Sequence, residues 1–272
     1  MTDKKLTNRE VSAACNYWWA TSHTTYNYQR LQAGSMTSMM APLFSKWYGD
    51  NSEKLIEGLK RQLLYFNTEP RFGAIIPGIV VALEEGIATS EGEVDATTVA
   101  DIKTALMGPL AGIGDTVWAG LIKPLILSVT CAWAIQGYIW GSFVYGIGVT
   151  LLDYFVTRTT FMYGYRLGIN SIDRFLEGDF VKKVTTVLGI IGLFCVGAMV
   201  VKYINFNFVI QITSGATTLD VGGILNRIMP KLLPLALTFF CFWMQTKGKS
   251  ITTVLIVLFI IGFVGGALGI LG

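Results

Sequence analysis

The sequence predicts an all-α integral membrane protein, in which amphipathic and re-entrant helices precede about four to five transmembrane helices. Three observations lead there. Of the 272 residues, 52% are hydrophobic and 14% charged, with a mean hydropathy of +0.53, whereas a soluble domain carries roughly a quarter charged residues. Apolar residues in the first hundred positions recur at spacings of 3 and 4, the helical period. Beyond residue 107 they merge into runs long enough for a bilayer core, which takes about 20 residues per helix. We therefore divide the chain into residues 1–106, an amphipathic and re-entrant region largely on the cytoplasmic side, and residues 107–272, a transmembrane region. The two are treated as one membrane unit.

The elements follow in order. Thr7 and Glu10 form a capping-box pattern, and Val11, Ala14, Cys15, Trp18 and Trp19 then share one helical face. A Trp-rich face suits either the membrane interface or packing on protein. Met36, Met39, Met40, Leu43, Phe44 and Trp47 make a second stripe, of the kind that fills cores. A third helix opens at Asp50 and Glu53, carries Leu55, Ile56, Leu59, Leu63 and Phe66 on one face, and ends in "FNTEP" (Phe66 to Pro70), because a residue before proline leaves helical geometry. "AIIPGIVVALEEG" (Ala74 to Gly86) is apolar, too short to span, and closed by two glutamates, which reads as a re-entrant helix. A short helix capped at Asp95 is expected to stop at Gly108 and Pro109.

Four apolar stretches remain. Trp118 to about Thr157 is twice the length of a span and breaks at Gln136–Gly137, so it reads as a helical hairpin. Val184–Ile204 and Ile251–Leu271 are single spans, and Pro230–Met244 is a discontinuous helix. The loop between Arg158 and Lys183 carries Arg158, Arg166, Arg174, Lys182 and Lys183, and Lys247 and Lys249 lie in a second turn. By the positive-inside rule both turns are cytoplasmic, which leaves residues 205–226 and the C-terminus outside. The polar N-terminus lacks an apolar stretch behind it, so no cleaved signal peptide is expected.

Composition excludes several functions. A net charge of +3 without a Lys/Arg block gives no nucleic-acid footprint. One histidine and no CxxC pair argue against a metal centre, and Cys15, Cys131, Cys195 and Cys241 read as free, buried thiols. "MGPLAGIGDTVW" (Met107 to Trp118) resembles a nucleotide cradle only superficially. A P-loop needs Lys and Ser/Thr after its last glycine, but Asp115 follows Gly114, and Val117 stands where a dinucleotide fingerprint needs a third glycine. What remains is a glycine-rich turn with a carboxylate. Asp115 either accepts hydrogen bonds from a neutral, polyhydroxylated solute or caps the next helix. Gly108, Gly112 and Gly114 allow close packing or movement. Glu84 and Glu85 end an apolar run, facing either a polar cavity or solvent. Asn67 and Thr68 sit in the turn before Pro70, and His23 lies in a polar cluster. No cofactor and no catalytic constellation is implied.

"FNTEP", "GIVVALEEG", "MGPLAGIGD" and "IMPKLLPLALTF" (Ile228 to Phe239) occur in an order and spacing that resemble the IID membrane component of the mannose family of the bacterial phosphotransferase system. "NYQRLQ" (Asn27 to Gln32), "KWYGD" (Lys46 to Asp50), "YGYRLGI" (Tyr163 to Ile169) and the C-terminal glycine-rich span extend the likeness over almost the whole chain. The resemblance implies a multi-pass protein of the bacterial cytoplasmic membrane. It would pair with a IIC subunit, as a trimer of IIC–IID heterodimers, to translocate a hexose that a cytoplasmic IIB component phosphorylates, with IIA upstream. The chain would then be no enzyme on its own. On this view His23, Asn67, Thr68, Glu84 and Glu85 bind sugar, while Gly108, Gly112, Gly114 and Asp115 serve packing or gating. The alternative is a structural and docking subunit with the sugar site wholly on IIC. Where the family often has glutamine, this chain has His23, and "NYQRLQ" and "GSM" (Gly34 to Met36) replace "NYERMQ" and "GFC". Near the site these changes leave the substrate as a hexose or an amino sugar.

Overall fold

The computed structural model describes residues 5–49, 51–89, 96–170, 179–214 and 217–271. Three sequence expectations, Asp50 as helix opener, Asp95 as cap and Arg174 as loop cation, lie outside them. Two compact units result, Met1–Cys195 and Val196–Gly272, so contacts divide the chain far beyond the charge boundary near residue 106.

In the first unit, α1 (Asn8–Thr21) starts at the expected capping box: Thr7 N–H donates to Glu10 Oε2 at 2.8 Å and Glu10 N–H to Thr7 Oγ1 at 3.3 Å. Its Trp-rich face packs on protein. Trp18 is buried and donates to the Pro70 carbonyl at 3.0 Å, and Trp19 meets Tyr154 edge-on. The whole Met-rich stripe of α2 (Ala33–Tyr48) is buried.

Helix α3 (Ser52–Gln62) stops four residues before Phe66 rather than at "FNTEP". The reason is tertiary. Lys103 Nζ reaches the last-turn carbonyls of Arg61 (3.5 Å) and Gln62 (3.3 Å) and lies 5.7 Å from the Phe66 ring centre. It thus satisfies orphan carbonyls that a continuing helix would have used. Phe66 is instead buried in a bridge with Leu31. Of the expected apolar face, Ile56 is exposed.

A 3₁₀ turn (Phe72–Ala74) leads into α4 (Ile75–Thr89), and together they make a largely apolar stretch of 18 residues, long enough to span and 78% buried in protein. The segment is therefore longer than the re-entrant helix expected. It lies against α7 (Trp140–Asn170) at glycines: a Cβ on Gly78 would collide with the Phe161 carbonyl, one on Gly164 with the Ile75 carbonyl, and one on Gly168 with Ala82. Small residues let helix backbones approach this closely.

The expected stop at Gly108–Pro109 does not occur. Helix α5 (Ala96–Gly114) passes through both residues into a π-helical segment (Asp115–Ile122) and then α6 (Lys123–Ile135). The 40 residues form one apolar rod. A proline inside a helix is tolerated where neighbouring helices and local π adjustments re-satisfy the backbone, and Gly192 lies against the Pro109 carbonyl. The rod turns at Gln136–Gly137, as expected, with Gly137 at φ +88°, and α7 returns along α6. Because α7 extends to Asn170, Arg158 and Arg166 are helical rather than in a loop, and Arg158 reaches Ser12 and Tyr154.

Helix α8 (Asp179–Tyr203) carries the division between the units. The second unit holds a short antiparallel hairpin, β1 (Gln211–Ser214) with β2 (Thr217–Asp220), the one departure from an all-helical fold among the described residues. Helices α9 (Val221–Ile228) and α10 (Leu232–Thr246) meet at 82°, with Lys231 left-handed at φ +61° beside Pro230, which gives the expected discontinuous helix. Helix α11 (Ile251–Ala267) follows. By length and apolarity, two described helices can cross a membrane, or three if the bent pair counts as one span. The apolar parts of α8 and α11 fall in the range of 10–17 residues. All four cysteines are free, but only Cys15 is buried, and Cys131 is exposed.

Candidate functional site

Two loops and two helices of the first unit meet around Arg71. The loop between α1 and α2 supplies His23 and Tyr26, and the "FNTEP" loop supplies Asn67, Thr68 and Glu69. The π-helical segment adds Asp115 and Trp118, and α7 adds Asp153. The loops are clamped by Gln32, whose side-chain amide donates to the Thr68 carbonyl at 2.8 Å and accepts from Thr68 N–H at 2.9 Å. Tyr26 adds a bond from its hydroxyl to Asn67 Oδ1 at 2.8 Å.

The Arg71 guanidinium pairs with Asp153 and with Glu69 Oε1 at 3.6 Å, approaches His23 Nδ1 at 3.4 Å, and lies 5.9 Å from the Trp118 ring centre. Lys123 Nζ lies at the same distance from that ring. Glu69 Oε2 accepts from the N–H groups of Arg71 (3.0 Å) and Phe72 (2.8 Å). Burial raises the Glu69 carboxyl above its ordinary range, against these donors and the Arg71 charge, which lower it. The His23 imidazole is held below its ordinary value by desolvation first and then by the Arg71 and Lys123 charges. These influences favour its neutral form, against the Asp153 charge, which favours the protonated one.

Three buried polar atoms of this cluster have no hydrogen-bond partner among the described residues: Thr68 Oγ1, Glu69 Oε1 and Trp118 Nε1. Buried polar atoms are almost always satisfied. These three are one acceptor, one donor and one hydroxyl, the group types that a polyhydroxylated molecule can partner.

Of the expected sugar-binding residues, His23, Asn67 and Thr68 come together here. Glu84 and Glu85 do not join them. Both are buried on α4. Glu84 takes a two-pronged bond from Arg61 (2.8 and 2.7 Å) and a third from Gln62 at 2.6 Å, while Glu85 accepts from Leu6 N–H at 2.7 Å and Tyr165 OH at 2.6 Å. Asp115 is no cap, since the helix is continuous through Gly114; it is exposed, and its charge acts on Glu69 and Tyr26. Gly114 is where the rod touches Glu69, so a Cβ there would strike that carboxylate. Gly112 faces Gly192, and Gly108 faces open space.

Sequence reasoning missed Tyr26, Glu69, Arg71, Trp118 and Asp153. Asp153 carried a usable signal, because an acid inside an apolar run is a functional suspect by default.

Residues 5–271 match the model of the mannose/fructose/sorbose family IID component of the phosphotransferase system. The chain belongs to that IID family. It is 32% identical over 280 residues to the mannose-specific EIID component of Escherichia coli K12, covering 100% of this chain and 97% of that one. With the fructose permease IID component of Bacillus subtilis it shares 31% identity, covering 97% and 96%. Among solved structures it is similar to a chain in the cryo-EM structure of the mannose transporter ManYZ with microcin E492. The TM-score is 0.75 at 32% identity, over 99% of this chain and 100% of that one. This chain is thus a IID component of the mannose/fructose/sorbose family of the phosphotransferase system.

Proposed function

We propose that this IID chain builds, with its IIC partner, the pathway by which a hexose or amino sugar enters the cell, and that it lends side chains to the sugar site. The buried atoms Thr68 Oγ1, Glu69 Oε1 and Trp118 Nε1, which have no hydrogen-bond partner among the described residues, carry this reading. A sugar hydroxyl both donates and accepts, so it satisfies Glu69 Oε1 as donor, Trp118 Nε1 as acceptor and Thr68 as either. Asn67, Tyr26 and His23 border them and complete a neutral, hydroxyl-seeking surface. An anionic substrate would meet Glu69 and Asp115. Glu84 and Glu85, saturated by protein donors, hold α3 and α7 to α4 and act as framework.

In the full reading the N-terminal half lies on the cytoplasmic side, where IIB phosphorylates the sugar, and the C-terminus lies outside. IIC–IID pairs assemble as a trimer. Residues 1–106 serve docking and the sugar site, and residues 107–272 translocation. Gly112, Gly114 and the π-helical segment let the rod shift during alternating access, with Gly108 giving it an open face.

The test is sugar affinity of the purified IIC–IID complex carrying Thr68→Val or Glu69→Gln. Thr68→Val removes one hydroxyl contact and Glu69→Gln replaces a charged acceptor with a weaker neutral donor, changes worth about 1–2 kcal/mol, so affinity falls by about tenfold, with co-purification of IIC intact. Unchanged affinity in both variants would leave the sugar site on IIC alone.

A further inference from the structure

Lys103 is a buried charge that the sugar site does not use. It lies on α5 and is 1% exposed, yet among the described residues no carboxylate pairs with it. Neutral oxygens hold its Nζ instead: the carbonyls of Arg61 (3.5 Å) and Gln62 (3.3 Å) and Gln62 Oε1 (3.3 Å). The Gln62 amide turns its nitrogen to Glu84 at 2.6 Å, and Arg61 answers the Glu84 charge. Burying an ammonium without a paired carboxylate is costly, and ending a helix does not require one, because a glycine does so without charge.

The ammonium also touches the "FNTEP" loop. Nζ lies 5.7 Å from the centre of the Phe66 ring, which is fully buried. A desolvated cation over an aromatic face is a directional contact. The Phe66 carbonyl accepts from Gln32 N–H at 2.9 Å, and the Gln32 side chain holds both backbone groups of Thr68. Lys103 is therefore joined to Thr68 through one ring and one amide clamp.

The same helix reaches the loop a second time. Lys103, Leu106, Leu110 and Gly114 recur at intervals of 3 and 4 and are all buried, so they share one face of α5. At the far end of that face, about three turns on, a Cβ on Gly114 would strike Glu69. One face of the rod thus meets the loop at Phe66 and again at Glu69, with Asn67 and Thr68 between the two contacts. We propose that Lys103 is a positioning residue for sugar binding. It fixes the Phe66 end of the loop and so sets where Thr68 and Glu69 stand, without touching the sugar. The proposal rests on the function proposed above.

The test measures sugar affinity and melting temperature of the intact IIC–IID complex carrying Lys103→Met, Thr68→Val or both. Lys103→Met keeps the length of the side chain and removes the ammonium. It weakens sugar binding by about tenfold. In its presence the further loss from Thr68→Val shrinks to about threefold or less, because residues that act through one element are not additive. Phe66→Leu, which keeps the ammonium and removes the ring, weakens binding similarly, and Thr104→Ala on the exposed face of α5 binds as wild type. A lower melting temperature of Lys103→Met at unchanged affinity is what a framework residue gives, and it would overturn the proposal. Losses that multiply in the double variant would do the same, since Lys103 would then act by another route. Should Lys103→Met fail to co-purify with IIC, Phe66→Leu decides, and unchanged affinity there overturns the proposal. Unchanged affinity in Thr68→Val and Glu69→Gln, with binding still weakened by Lys103→Met, would sink the parent reading instead.

Discussion

Arg71 organises the candidate site because one guanidinium can serve several planar partners at once. It neutralises Asp153, balances Glu69, faces His23 and covers the Trp118 ring. His23 is the imidazole of the cluster. Its folded pKa lies below the ordinary 6.5, so as pH falls the unfolded chain takes up this proton first. Stability tied to the neutral imidazole is complete above 6.5 and is lost as pH drops through the window just below it. We expect the melting temperature of the complex to fall more steeply between neutral and mildly acidic pH in wild type than in His23→Gln, with the two converging above neutrality. Equal slopes would show that the neighbouring cations do not burden this histidine.

The residue types at this site were legible in part. His23, Asn67 and Thr68 were marked by polar character in an apolar chain, and His23 and Asn67 both touch Tyr26. Glu84 and Glu85 carried the same mark and went elsewhere, because a carboxylate in an apolar run needs donors and the sequence does not say whose. Arg61 and Tyr165 are 23 and 80 residues away from them.

Among the elements, the contact between α4 and α7 shows how sequence period and tertiary approach differ. Gly164 and Gly168 stand four residues apart on one face of α7, and both meet α4 backbone. Gly164→Ala places a methyl group against the Ile75 carbonyl and costs about 1–3 kcal/mol or more, read as a lower melting temperature. Gly146→Ala on the same helix, where nothing lies within 4 Å, is the matched control and leaves the melting temperature within experimental scatter of wild type. An equal loss at both positions would mean that helix flexibility, not contact, is being measured.

The glycine-rich stretch from Met107 to Trp118 illustrates the opposite error. Local rules place a break at Gly108–Pro109, yet the helix runs on, and two of its glycines let something approach: Gly192 at Gly112, Glu69 at Gly114. Propensity is a weak prior where neighbouring helices re-satisfy the backbone. Lys103 likewise moves the end of α3 from across the fold. The break at Gln136–Gly137 was legible because a turn with φ +88° needs glycine whatever surrounds it.

Over the whole molecule, the polar half supplies most of the first unit's buried core, while the hairpin of α6 and α7 keeps large apolar side chains outside. Ile135, Ile139, Trp140 and Phe155 are 66–87% exposed. Such a surface needs lipid or a partner helix. We expect the chain expressed without IIC to elute as aggregate or be degraded, and co-expression with IIC to give a monodisperse peak in detergent; equal behaviour with and without IIC would assign that surface to lipid. The sequence by itself determined the membrane class, the discontinuous helix, the hairpin break and the family, since each rests on composition, fixed backbone geometry or contiguous motifs. Only the tertiary structure decided the length of the rod, the end of α3, the embedding of Glu84 and Glu85 in the framework and the gathering of Glu69, Arg71, Trp118 and Asp153. The physical reason is common to all four. Each depends on which distant donor, acceptor or backbone satisfies a buried group, and that pairing is set by three-dimensional packing rather than by neighbours in the chain.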